Sequence, residues 1–136
     1  MKSLVRLAKE WLGMKRELTV APDVEAKFLL VLGTLPVGTL TVKDGVWRFK
    51  YADQFKGESE LRPLVEFPDL DKIYEQEELW QFFASRIPST LQPDVEVVLE
   101  KERIDEDDLI ALLKRFGKRT ITSPFELKDA DDLMTI

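Results

Sequence analysis

The chain has 136 residues, of which 44% are hydrophobic and 34% charged, and a formal net charge of −6. That suits one folded domain with a core of its own, and the acidic balance excludes a general nucleic-acid binder. It holds no Cys and no His, which excludes disulfides and thiolate metal sites and removes the commonest general base and transition-metal ligand.

Residues 1–16 carry Lys2, Arg6, Lys9, Lys15 and Arg16 against Glu10 alone, a local charge of +4 that leaves −10 on the remainder. Leu4, Leu7, Ala8, Trp11 and Leu12 recur at helical spacing, with Ser3 as a candidate N-cap and Gly13 as a stop. A helix of about ten residues is marginal alone and must dock on something, and Trp11 is its candidate contact residue. The interruptions at Lys9, Glu10 and Lys15 exclude a secretory apolar region, and no apolar run is long enough to span a bilayer, so the cytoplasm is the expected compartment. "APDVEA" reads as a linker. The expected organisation is a helix and linker over 1–22, a main domain over 23–128 and a tail over 129–136.

The stretch "KFLLVLGTLPVGTLTVKDGVWRFKYA" is rich in β-branched and aromatic residues. It predicts a strand, a turn over Gly33 to Pro36, a second strand over Val37 to Val42, and a hairpin at Asp44-Gly45, a pair that favours a primed turn. In the third strand Trp47, Phe49 and Tyr51 alternate with Val46, Arg48 and Lys50, which places three aromatics on the core face. Residues 52–72 read as loop, with a short strand expected from Pro63 to Phe67.

"EQEELWQFFASRI" predicts a helix with Glu75, Glu77 and Glu78 in its first turn. Leu79, Phe82, Phe83 and Ile87 share its apolar face, Trp80 lies on the flank, and Pro88 ends it. A flanking Trp serves either as filler or as a binding anchor, and Trp and Arg dominate interface hot spots. Trp80, Arg86 and Ile87 are therefore candidate partner-binding residues, while Phe82 and Phe83 are core candidates. Pro93-Asp94 opens a further helix carrying Val95, Val98 and Leu99. "DEDDLIALLKRFG" predicts a last one, with Asp105 as cap, Leu109, Leu112, Leu113 and Phe116 as the buried stripe, and Gly117 as C-cap. "KRTITSPFEL" leaves as an extended segment. Strands first and helices after predict an α+β domain, a small antiparallel sheet from the N-terminal half packed on helices from the C-terminal half.

Catalytic patterns are sparse. The pair Glu77-Glu78 and the run Asp105-Glu106-Asp107-Asp108 read as helix-start charge. There is no calcium loop, and the two Gly of "VLGTLPVGTL" lack the spacing and the Lys of a phosphate loop, so a turn explains both. Thr120, Thr122 and Ser123, beside basic residues, form either a phosphate acceptor or a polar connector. No metal and no cofactor is implied.

Three stretches, in order, resemble one family. "VGTLTVKDGVWRFKYADQF" looks like the opening of the HipA N-terminal subdomain, a strand leading into a hairpin and an aromatic strand. "LRPLVEFPDLDKIYEQEELWQFFASRIPS" is similar to its Pro-Leu segment and Phe-Phe helix, and "DEDDLIALLKRFGKRTITSPFEL" to its closing helix. The likeness runs over roughly residues 28–127. Where that helix commonly ends as Asn-Leu-Leu-Pro-Glu-Gly, this chain has Ser85-Arg86-Ile87-Pro88-Ser89-Thr90. A kinase needs a phosphate-covering loop, a Lys, a catalytic Asp and metal ligands; no such set occurs here, so the kinase activity of full-length family members is not carried over. The resemblance implies a free-standing, non-catalytic module like the HipS-type antitoxins of tripartite HipBST systems. Such a module binds and neutralises a HipA/HipT-like Ser/Thr kinase, with Trp80 and Arg86 facing it. The alternative is a structural subunit of a HipB-like repressor–DNA complex, with the basic N-terminal helix as its contact, and no direct nucleic-acid or membrane binding by the main domain.

Overall fold

In the computed structural model the described residues are 17–130. The expected N-terminal helix, with Trp11, and residues 131–136 lie outside them. Five strands form one antiparallel sheet: β1 (Ala26–Leu32), β2 (Leu35–Lys43), β3 (Val46–Tyr51), β4 (Tyr74–Gln76) and β5 (Phe125–Asp129), in the order β4-β3-β2-β1-β5. Four helices lie between β3 and β5: α1 (Asp53–Lys56), α2 (Gln81–Ala84), α3 (Pro93–Glu102) and α4 (Leu109–Phe116). The fold is α+β, with most of its helical residues in the C-terminal half.

The hairpins follow from local chemistry. Lys43 pairs with Val46 across Asp44-Gly45, both at positive φ (53° and 76°), the conformation that a two-residue turn of this kind requires. Leu32 pairs with Leu35, so the first turn is only Gly33-Thr34, with Gly33 at φ 63°. The second strand thus starts two residues earlier than expected and includes Pro36. It tolerates that residue because the β1–β2 register shifts there, pairing Leu30 with Gly38 but Val31 with Pro36. A proline, which cannot donate to the ladder, sits at such a bulge. Gly38 lies inside β2, within the strand expected over Val37 to Val42. A Cβ there would stand 2.6 Å from Phe49 Cζ and 2.8 Å from the Lys50 carbonyl oxygen.

The period-two pattern of β3 is realised: Trp47, Phe49 and Tyr51 are buried, Arg48 and Lys50 exposed. Together with Phe28, Leu30, Leu40 and Val42 they form the sheet's inner face. Onto it pack Val95 and Leu99 of α3 and Leu109, Leu112 and Leu113 of α4. Each large apolar side chain removed from water there stabilises the fold by roughly 1.5–3 kcal/mol.

Three local expectations are corrected. Residues 63–67 form no strand; Phe67 N–H bonds the Leu64 carbonyl at 3.0 Å as a turn. The buried Tyr51 hydroxyl holds that turn, accepting from Leu64 N–H at 2.8 Å and donating to the Phe67 carbonyl at 2.7 Å. The helix expected to begin at the acids is a single turn, α2. Tyr74–Gln76 is edge strand instead, because Trp47, Arg48 and Phe49 of β3 offer it a pairing partner and Arg48 bridges Glu75 at 2.9 Å. Finally, α4 is capped by Asp108, whose carboxylate accepts from Ala111 N–H at 3.1 Å, while Asp105 accepts from Asp107 N–H just upstream. Gly117 does end α4, for want of space: a Cβ would lie 2.5 Å from the Leu113 carbonyl oxygen. The segment expected to leave extended is strand β5, which pairs with β1 from Phe28↔Asp129 to Leu32↔Phe125 and so takes in Asp129, the first residue of the expected tail.

Candidate functional site

The aromatic segment around α2 is assembled by side chains from elsewhere in the chain. Glu66 supplies the missing N-cap, its carboxylate accepting from Phe82 N–H at 2.7 Å. Trp80, the residue before the helix, has extended backbone (φ −64°, ψ 148°). Its ring meets Phe67 edge-on at 5.0 Å, and Phe67 in turn contacts Phe49, Tyr74 and Phe83. Trp80 is therefore not on a helix flank; it belongs to an aromatic cluster and is only 8% exposed. Phe83 is fully buried, as the sequence predicts, and Ile87 is 7% exposed.

Arg86 is 6% exposed. Its guanidinium donates from Nη1 to the carbonyls of Gly117 (3.0 Å) and Lys118 (3.5 Å) and from Nη2 to that of Phe125 (2.8 Å), and it stacks over the Phe82 ring at 5.4 Å. Two of these carbonyls stand at the C-terminal end of α4, where the helix dipole concentrates negative charge and favours a cation. Burial pushes the Arg86 pKa below its ordinary value. Three of the four candidate contact residues thus have interior partners, and the fourth, Trp11, lies outside the described residues.

The exposed apolar groups stand elsewhere. Ile121 is fully exposed, at the tip of a turn closed by the Thr120–Ser123 bridge, and Val65 is 96% exposed beside Glu66. Phe82 and Phe125 are half-buried, their rings edge-to-face at 5.9 Å. Lys118 and Arg119 precede the Ile121 turn and are exposed, Arg119 paired with the Glu126 carboxylate at 3.3 Å. The sequence holds one signal for this surface that the helix-face reading passes over: Ile121 is a lone apolar residue among Thr120, Thr122 and Ser123, where no strand or helix period calls for it.

Elsewhere, an open cleft of about 570 Å³ crosses the outer face of the sheet. It gathers Lys27, Lys43 and Arg48 with Glu25, Asp44 and Glu75, charges that offset one another and select neither anion nor cation. Among the described residues, no group of three or more carboxylates is placed to hold a metal ion, and no helix is long and apolar enough to cross a membrane.

The fold and this surface define a small α+β module in which the Tyr51 hydroxyl and the Arg86 guanidinium fasten loops to the core. The chain belongs to the HipA N-terminal domain family, whose model matches residues 28–122. That is the family of a domain not itself catalytic. No match was found among curated proteins.

Proposed function

We propose that this protein is a non-catalytic binding module of the HipS type, which docks on a HipA/HipT-like Ser/Thr kinase and neutralises it. The observation that carries this reading is the family match, which takes in most of the chain. The sequence supports it further by lacking the loop, Lys, Asp and metal ligands of phosphoryl transfer.

The test uses a purified HipA-type kinase that lacks this domain of its own. Direct binding by calorimetry, suppressed autophosphorylation and restored growth on co-expression are the expected results. A kinase that neither binds the chain nor loses activity in its presence overturns the reading.

The charge of +4 on residues 1–16 favours a second reading, a structural subunit of a HipB-like repressor–DNA complex without inhibitory action. Its mark is salt-sensitive association with such a complex that disappears when residues 1–16 are deleted.

A further inference from the structure

We propose that the Thr122 hydroxyl is a phosphate acceptor, modified by those copies of the Ser/Thr kinase partner that outnumber the module and so are not neutralised by it. The proposal rests on the binding reading above and adds a regulation to it.

Burial, hydrogen bonding and charge single out this hydroxyl. Among the described residues the exposed Ser and Thr are Thr34, Ser59, Ser85, Ser89 and Thr122. The Ser85 hydroxyl donates to the Phe82 carbonyl at 3.5 Å, and that of Ser89 accepts from Leu91 N–H at 3.2 Å. Ser59 stands between Glu58 and Glu60, where a phosphate meets like charge. Thr34 lies in the uncharged stretch from Leu32 to Pro36. Thr122 follows two exposed cations, Lys118 and Arg119. It stands at the tip of a turn whose ends are paired, Thr120 with Ser123, and its neighbour Ile121 is wholly in water. An active site can close over that tip while α4 and β5 stay folded. The other two hydroxyls of the turn are half-buried, and the Ser123 oxygen accepts from Phe125 N–H at 3.3 Å.

The turn also accommodates the product. Thr120 Oγ1 lies 3.3 Å from Thr122 Oγ1, which sets a hydroxyl donor beside the new phosphate. Arg119 is joined to Glu126 through Nε at 3.3 Å, with its side chain 77% exposed. An exposed pair of this kind is weak, and the Nη groups of the guanidinium remain as donors. A phosphate, carrying roughly −1.5 to −2 charge, competes with the single carboxylate of Glu126 for this cation. In the transfer, Thr122 Oγ1 bonds the γ-phosphorus of ATP while the bond from that phosphorus to the bridging oxygen breaks. ADP leaves, and the hydroxyl proton passes to the catalytic Asp of the kinase.

The experiment incubates the full chain with Mg²⁺, ATP and a molar excess of a purified HipA-type kinase that lacks this domain, then locates phosphate by fragmentation mass spectrometry. Binding without ATP is measured in parallel, and unchanged thermal melts verify folding of the variants. The expected result is phosphate on Thr122, its loss in Thr122→Val, and its return at the same position in Thr122→Ser. With the chain in excess over the kinase, the label at this position disappears. If the parent binds but carries no phosphate on Thr122, or if Thr122→Val is labelled as fully as the parent, the acceptor is refuted while the binding function stands. Equal labelling at either ratio refutes the part given to unneutralised kinase. If the parent does not bind, the functional reading falls and takes this one with it.

Discussion

Arg86 donates to the carbonyl oxygen of Gly117 at 3.0 Å, fastening the turn after α2 to the C-terminal end of α4, 31 residues along the chain. The same guanidinium reaches Phe125 of β5, so a single side chain ties together three parts of the fold. Arg86→Met should lower unfolding free energy by about 2–4 kcal/mol, since three carbonyls lose a charged donor in a buried site. Urea denaturation measures this. Stability equal to the parent would mean that the clamp contributes nothing and that Arg86 is retained for some other purpose.

Tyr51 anchors the irregular segment from Leu64 to Phe67 through two hydrogen bonds to its hydroxyl. Tyr51→Phe keeps the ring and strands both backbone groups, at a cost of about 1–3 kcal/mol. Amide hydrogen exchange should show the loss first at Leu64.

Alkaline pH tests the same hydroxyl independently. Burial, the largest cause, pushes the Tyr51 pKa up to about 12 from 10, the nearby Tyr74 adding to it and the Leu64 N–H opposing it. The unfolded chain therefore releases this proton first. The contribution is fully present below pH 10 and is lost as pH rises through about 12, amounting to roughly 2–3 kcal/mol over that window. The difference in stability between the parent and Tyr51→Phe should shrink accordingly between these limits; a constant difference would show that the hydroxyl titrates as if in water.

Two glycines separate space from backbone conformation. Gly38→Ala drives a Cβ against Phe49 and the Lys50 carbonyl and should cost about 1–3 kcal/mol. Gly33→Ala meets nothing within 4 Å, so its penalty is that of the left-handed region alone, about 1 kcal/mol. Equal losses at the two sites would show that the Phe49 ring yields freely.

At the end of α3, Arg103 adopts φ 56°, and Ile104 N–H closes back on the Leu99 carbonyl at 2.9 Å. Glycine is the usual residue in that left-handed position. Arg103→Gly should raise the melting temperature, by a stabilisation of about 1 kcal/mol; a fall would mean that the Arg side chain is itself a significant contact.

What was legible in the sequence was what neighbouring residues decide. Asp44-Gly45 fixes its own turn, and the alternation from Val46 to Tyr51 needs only the pleat of one strand. The rest depends on partners remote in sequence. Acids at 75, 77 and 78 look like a helix start, but Tyr74–Gln76 finds β3 first. Asp105 and Asp108 are equally good caps on paper, and only the position of Leu109 against the core selects the second. Arg86 at a helix end reads as solvent-facing because nothing nearby announces the three carbonyls it meets. Around α2 the apolar spacing correctly marks Phe83 as core, but the helix flank it assigns to Trp80 does not exist, because Trp80 precedes the helix and its ring lies against Phe67, remote in sequence.

The pairing of β1 with β5 joins the first strand of the described chain to the last. While the protein is being synthesised, the two early hairpins can close at once, yet one border of β1 stays bare until Phe125–Asp129 has left the ribosome. Such a border invites pairing with other nascent chains. Copies arrested before Phe125 should therefore clump more readily than those that have already made β5.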